Sequence, residues 1–254
     1  MKEKVTWYIE LRNLLLLLLI VSVVSLAYPP TVSVWGQGHS VLILSSLQNL
    51  APIRDSDLSS ITTPLMNAGF SITYLTDNQV TINILLHQLN KYDVIIWRTN
   101  TYTFGHTTFW YVGESINDGC LQEYSSEFSS NELDASHGIV GAGITFFQNH
   151  IMAGSLSHEK LTILVSSLSN ALAGYFLTGG SQSVVEFTAP LSLTFGLVDS
   201  VVGTLMYYLT NGYNVSTALQ DTLAPYLTMK LADPLDTSIS PPIAFVGDGT
   251  VTIM

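Results

Sequence analysis

Residues Leu161–Phe187, LTILVSSLSNALAGYFLTGGSQSVVEF, constrain the fold more than any other stretch of the chain. Leu161–Val165 is a short apolar run that ends in the small residues Ser166–Asn170, the pattern of a strand buried on both faces. Ala171–Thr178 then reads as a helix, Gly179-Gly180 as its left-handed stop, and Ser183–Phe187 as a second strand. Strand, helix and strand in that order make a parallel crossover unit. Open parallel sheets place their binding and reacting groups at the carboxyl ends of the strands. After the first of these strands that position belongs to Ser166-Ser167.

Upstream, the same logic finds two more units. Val41–Ser45 is a first strand, Asp57–Asn67 a helix with Ser56 as its cap and Ala68-Gly69 as its stop, and Phe70–Leu75 a second strand. Ile82, Leu85, Leu86 and Leu89 fall at helical spacing within Thr81–Leu89, and Asp93–Trp97 is a third strand. The pattern predicts an α/β fold with a mostly parallel sheet flanked by helices.

Residues 99–159 read as an irregular excursion, with a strand at Thr107–Val112, a polar loop at Gly113–His137 and an edge strand at Ile139–Phe147. Leu191–Thr210 and Val215–Leu223 read as helices. The first is interrupted by Thr194, Asp199, Ser200 and Thr204, which favours a packed helix over a membrane span. Ile243–Val246, the turn Gly247–Gly249 and Thr250–Ile253 read as a closing strand–turn–strand.

The amino-terminal segment is read separately. Lys2, Lys4 and Arg12 precede the uncharged run Leu14–Ala27, which closes on Ser25-Leu26-Ala27, the parts of a secretory signal. Fourteen residues rise ~21 Å as a helix against a ~30 Å hydrocarbon core, so retention as an anchor would need Trp7–Leu11 as well. The expectation is a signal at 1–27 and one α/β domain over 28–254, secreted or at the cell surface. A membrane anchor through an uncleaved segment is the alternative.

Without residues 1–27 the chain keeps five basic and seventeen acidic residues, a formal charge of −12. That balance argues against nucleic acid or an anionic membrane surface as partner. One cysteine, Cys120, excludes an internal disulfide framework. The six histidines show no metal-ligand spacing, and neither a phosphate-binding loop nor a dinucleotide fingerprint is present, so no cofactor or metal is expected.

Taken together, VLIL at 41–44, NAGFSITYL (Asn67–Leu75), KYDVIIWRTN (Lys91–Asn100), Leu161–Phe187, the helix containing Asp199 and NGYNVSTALQDT (Asn211–Thr222) resemble the caspase-like fold of the gingipain-type cysteine peptidases and their archaeal extracellular relatives. The resemblance covers about residues 40–250, in order, and is one of pattern rather than of long identities. It implies a histidine just after the third strand and a cysteine just after the fourth: a thiolate to attack a carbonyl and an imidazole to protonate the leaving amine. Here Asn100 stands at the first position and Ser167, or Ser166 on a shifted alignment, at the second.

Asparagine transfers no proton at neutral pH, and a serine without a base is a poor nucleophile. The resemblance therefore implies a non-catalytic relative that acts by binding, or as an extracellular or cell-surface structural component. Its remnant cleft would be built from Asn100, Ser166 and Ser167 and would take a peptide or a cell-surface partner. Asp199 matches an acidic position of some relatives; it either hydrogen-bonds the loops at the sheet's carboxyl end or caps and solvates its helix.

The competing expectation is an active peptidase, with Ser167 or Cys120 as nucleophile and His106 as base. His106 lies six residues beyond Asn100, in an aromatic stretch, and Cys120 in the polar excursion. Phe104, Phe109, Trp110 and Tyr111, with Phe146 and Phe147, either line a peptide or sugar groove or form the core of the long excursion.

Overall fold

The computed structural model describes residues 38–47, 55–135, 137–187, 195–232 and 243–254. The signal reading of residues 1–27 lies outside these, as do 191–194 at the start of the apolar helix.

The described chain begins with strand β1 (Ser40–Ser46), helix α1 (Asp55–Asn67) and strand β2 (Ser71–Thr76), followed by α2 (Ile82–His87) and β3 (Val94–Thr99). Thr81 caps α2 by accepting the Ile84 amide hydrogen, so the helix starts at Ile82, where its apolar spacing begins, rather than at Thr81, and it stops at His87 short of Leu89. After the excursion come β8 (Leu161–Val165), α6 (Asn170–Gly179) and β9 (Ser183–Phe187), then α7 (Phe195–Thr210), α8 (Val215–Ala232) and β10 (Ile243–Gly247). Gly180 closes α6 with φ +116°, the left-handed stop its sequence calls for.

Six strands form the main sheet in the order β10-β9-β8-β3-β1-β2. The five strands β9, β8, β3, β1 and β2 pair in parallel, and β10 runs antiparallel to β9. This is an α/β fold, a mixed sheet of mostly parallel strands flanked by helices, consistent with the caspase-like architecture.

Strand alternation divides the core in two. Val41, Ile43, Val94, Ile96, Ile163 and Val185 face α1, α7 and α8. Leu42, Leu44, Ile95, Trp97, Leu164 and Val184 face α2, α6 and the excursion. Helices α1 and α7 approach closely at Gly203, where a Cβ would sit 2.7 Å from the Ser60 carbonyl oxygen.

The strand read at Thr107–Val112 is present, and the structure corrects the rest of the reading up to residue 150, where the described residues form mostly regular elements. Strands β4 (Thr101–Phe104), β5 (Thr107–Ser115), β6 (Leu133–Asp134) and β7 (Ile139–Gly143) make a second, antiparallel sheet in the order β4-β5-β7-β6. The polar segment read as a loop carries α3 (Asp118–Glu123), capped by Asn117, and α4 (Ser125–Ser129). These elements are one or two turns long, too short to show a period in a Ser-rich sequence.

Ile139–Phe147 is not an edge strand. Its strand stops at Gly143 and lies inside the second sheet, and Ile144–His150 forms helix α5, which drives Phe146 and Phe147 into the core. Three further boundaries shift. Ser56 lies inside α1 rather than capping it, α8 continues past Leu223, and Thr250–Ile253 is not a strand. Val251 and Ile253 are buried as core residues under α8 instead.

Candidate functional site at the carboxyl end of the sheet

Strand order reverses at β1, so the crevice that open α/β sheets use for ligands lies beyond the carboxyl ends of β1 and β3. β1 ends in Ser45-Ser46 and β3 in Arg98-Thr99. Alternation sends Ser45 and Arg98 to the face of α1 and α7, and Ser46 and Thr99 to the opposite face.

On the first face Arg98 is wholly buried and meets Asp199 of α7, which is 1% exposed. Arg98 Nε donates to Asp199 Oδ1 at 2.9 Å and Nη2 to Oδ2 at 2.5 Å, while Nη1 donates to Ser45 Oγ at 3.2 Å. This is a two-pronged guanidinium–carboxylate pair inside the protein, the geometry in which arginine outperforms lysine. Asp199 is thus buried rather than a solvated cap. It neutralises the buried cation of Arg98 near the end of β3.

On the second face the excursion covers the crevice. Ser46 Oγ donates to the Val112 carbonyl, and the Trp97 indole N–H donates to Ser46 Oγ at 3.5 Å. Thr99 Oγ1 donates to the Tyr111 carbonyl at 2.6 Å, and the Tyr111 amide donates to the Asn100 carbonyl at 3.0 Å. Residues Tyr111 and Val112 of β5 therefore lie across the ends of both strands.

Asn100 opens the hairpin that leads into β4. Its Oδ1 accepts the Thr101 amide hydrogen at 2.8 Å, so its side chain is engaged in making the turn. Beyond β8, Ser166 is buried and its hydroxyl donates to the Ser167 carbonyl at 3.1 Å. Ser167 is half-buried. Leu168 follows with φ +59°, a left-handed conformation that is costly for leucine, and is 41% exposed. Ser169 locks the turn to the end of β9, accepting the Phe187 amide at 2.7 Å and donating to its carbonyl at 3.0 Å.

The peptidase candidates are dispersed. His106 sits at the exposed tip of the β4–β5 hairpin, four ladder residues from Thr101, or ~13 Å along the strand. Cys120 is buried in the first turn of α3. Burial first, then the charge and hydrogen bond of Glu114, push its thiol up to about 11, away from the thiolate form a nucleophile needs. Of the aromatic group, Trp110, Phe146 and Phe147 belong to the core and Phe104 is exposed.

Glu186, near the carboxyl end of β9, is 6% exposed; its Oε2 has no hydrogen-bond partner among the described residues, and burial raises its pKa. Glu159, just before β8, is buried as well. A carboxylate inside an apolar strand run, as in SVVEF, was the available signal for Glu186. For Arg98 it was the alternation Val94, Ile96, Arg98.

Among the described residues no group of three His, Cys, Asp or Glu side chains could hold a metal ion, and no helix is long and apolar enough to cross a membrane. A separate cleft of about 260 Å³, lined by Pro64, Asn67, Ala68, Tyr207, Thr210 and Asn211, lies where α1 and α7 end. No protein-family model matches the chain, and no curated protein matches it.

Proposed function

We propose that this chain is a secreted or cell-surface, non-catalytic relative of the gingipain-type peptidases that acts by binding or as an extracellular structural component. The observation that carries the reading is how the side chains are engaged where imidazole and thiol would be required. Asn100 is occupied with the Thr101 amide and Ser166 with the Ser167 carbonyl. His106, the histidine nearest in sequence, is at an exposed hairpin tip. A reactive serine needs a base within hydrogen-bond reach, at about 2.6–3.2 Å. The mixed, mostly parallel sheet supports the fold side of the resemblance.

Among the described residues, the turn after β8 presents an exposed Leu168 beside half-buried Ser167 at this end, where a peptide could be met. Labelling of the full chain with a fluorophosphonate and with a thiol-directed peptidyl probe, beside cleavage assays on a peptide library, tests the proposal. No covalent adduct and no turnover are expected. A probe adduct on Ser167 or Cys120, lost in His106→Ala, would establish the peptidase reading in its place.

A further inference from the structure

Residues 151–160 form a strap from the end of α5 to the start of β8 and lie against the carboxyl end of α6. A Cβ on Gly179 would fall 2.6 Å from Ile151 and 2.9 Å from Leu156. The strap is held by backbone bonds: the Leu156 amide to the Gly179 carbonyl at 2.7 Å, and the Gln182 amide to the Glu159 carbonyl at 3.2 Å. Glu159 turns its side chain inward and is 0% exposed. Its Oε1 is hydrogen-bonded to the Thr162 hydroxyl, and its Oε2 has no hydrogen-bond partner among the described residues. Thr162 Oγ1 is 3.1 Å from Ser181 Oγ, which donates to the Ser183 carbonyl at 3.0 Å.

The hydrogens along this chain can be counted. Three oxygen–oxygen links join Glu159, Thr162, Ser181 and the Ser183 carbonyl. The carbonyl supplies no hydrogen and the two hydroxyls supply one each. A protonated carboxyl supplies the third, whereas a carboxylate leaves one link with lone pairs facing each other.

No cation among the described residues relieves this. His158 and Lys160 flank Glu159 in the strap, and the Asp93 carbonyl accepts the Lys160 and Leu161 amide hydrogens. His150 ends α5 against Glu132, and the Asp248 amide bonds the Gln182 carbonyl. Glu186 lies farther along β9, and α6 carries only Tyr175 as a titratable group. Among the described residues Glu159 pairs with none of these. Burial pushes its carboxyl up to about 8, with the nearby Ser181 hydroxyl acting in the opposite direction.

We infer that Glu159 is a proton-operated latch: its neutral carboxyl fastens the strap 151–160 to the amino edge of β8 and β9, and release of the strap lets the carboxyl ionise in water. Opening uncovers Ile151, Leu156 and the Gly179-Gly180 end of α6, an apolar patch presented more often as pH rises. The device needs no ligand and is independent of the peptidase resemblance.

Hydrogen exchange on the full chain between pH 4 and 9, corrected for intrinsic rates, tests it. In the wild type, protection of 151–160 and 179–183 should fall about tenfold per pH unit above the ordinary glutamate range and level off near the buried carboxyl's own pKa. Glu159→Gln, whose amide always supplies the hydrogen, should hold its protection throughout. An identical slope in both proteins, or no slope in the wild type, overturns the latch. Infrared spectroscopy of the wild type provides a reading that does not depend on the variant folding. A protonated-carboxyl carbonyl band should persist at pH 7, and its absence overturns the latch.

Discussion

Asp199 holds the guanidinium of Arg98 through two hydrogen bonds, 2.9 Å to Nε and 2.5 Å to Nη2, across 101 residues of chain. The pair ties α7 to β3, and through Ser45 to β1 as well. Both charges have left water. Their mutual attraction offsets that cost only while both are present.

Asp199→Ala should therefore destabilise the fold by about 3–5 kcal/mol, because it strands a buried cation. The double change Arg98→Met with Asp199→Leu should recover most of that loss. Urea denaturation of the wild type and the two variants provides the check. A double variant no more stable than Asp199→Ala would mean that the pair contributes through packing geometry rather than through compensated charge.

The Glu159 carboxyl gives the stability curve a definite sign. The unfolded chain loses this proton near the ordinary value of 4.5 and the folded chain only near 8. Between those values the folded state binds the extra proton, so stability falls as pH rises, then levels off. At ~1.4 kcal/mol per unit the fall is on the order of 4–5 kcal/mol. Subtracting the stability curve of Glu159→Gln from that of the wild type should isolate this decline. A flat difference curve would falsify the assignment.

Gly203→Ala sets two effects against each other. Alanine favours a helix by about 1 kcal/mol over glycine, but its Cβ would lie 2.7 Å from the Ser60 carbonyl oxygen on α1. Backbone cannot yield as a side-chain tip does. The expected result is a net loss of roughly 1–3 kcal/mol, read as a lower urea midpoint. A gain would show that α1 and α7 can separate without penalty.

Cys120 should resist alkylation in the folded protein. With its pKa near 11 the thiolate fraction at neutral pH is a few hundred times below that of a free thiol of pKa ~8.5, before burial is considered. Iodoacetamide at pH 7.5 should modify it only on unfolding. Modification at the rate of a free thiol, with the fold intact, would return Cys120 to the list of nucleophiles.

Much of the main sheet was legible in the sequence. β8 and β9 have the bounds their apolar runs suggest, and Gly179-Gly180 closes the helix between them. The second sheet was not legible, because its strands pair locally and carry glycine where rings lie close, as at Gly141 beside the Tyr102 hydroxyl. Glycine and serine erase the alternation that marks a strand. In the candidate site, Asn100, Ser166 and Asp199 stand out by position, but the groups they bond do not. Arg98 follows Trp97 directly and looks like the first polar residue of a loop, although it is the last inward residue of a strand. Glu159 stands between His158 and Lys160, where charged residues normally mark a solvated turn.

The chain leaves β3 at Thr99 on the carboxyl side of the sheet and re-enters β8 at Leu161 on the amino side, on the adjoining parallel strand. The second sheet is therefore the crossover itself, not an ornament hung from a loop. A span over the full height of the strands cannot be shortened to a tight turn, since parallel neighbours need a dozen or more residues between them. Evolution or engineering can thus lengthen and diversify this segment at its tips, Gly105-His106 and the turn before β7. Its roots at Asn100 and Lys160 are fixed in separation by the sheet, as the abutments of a bridge are by its banks.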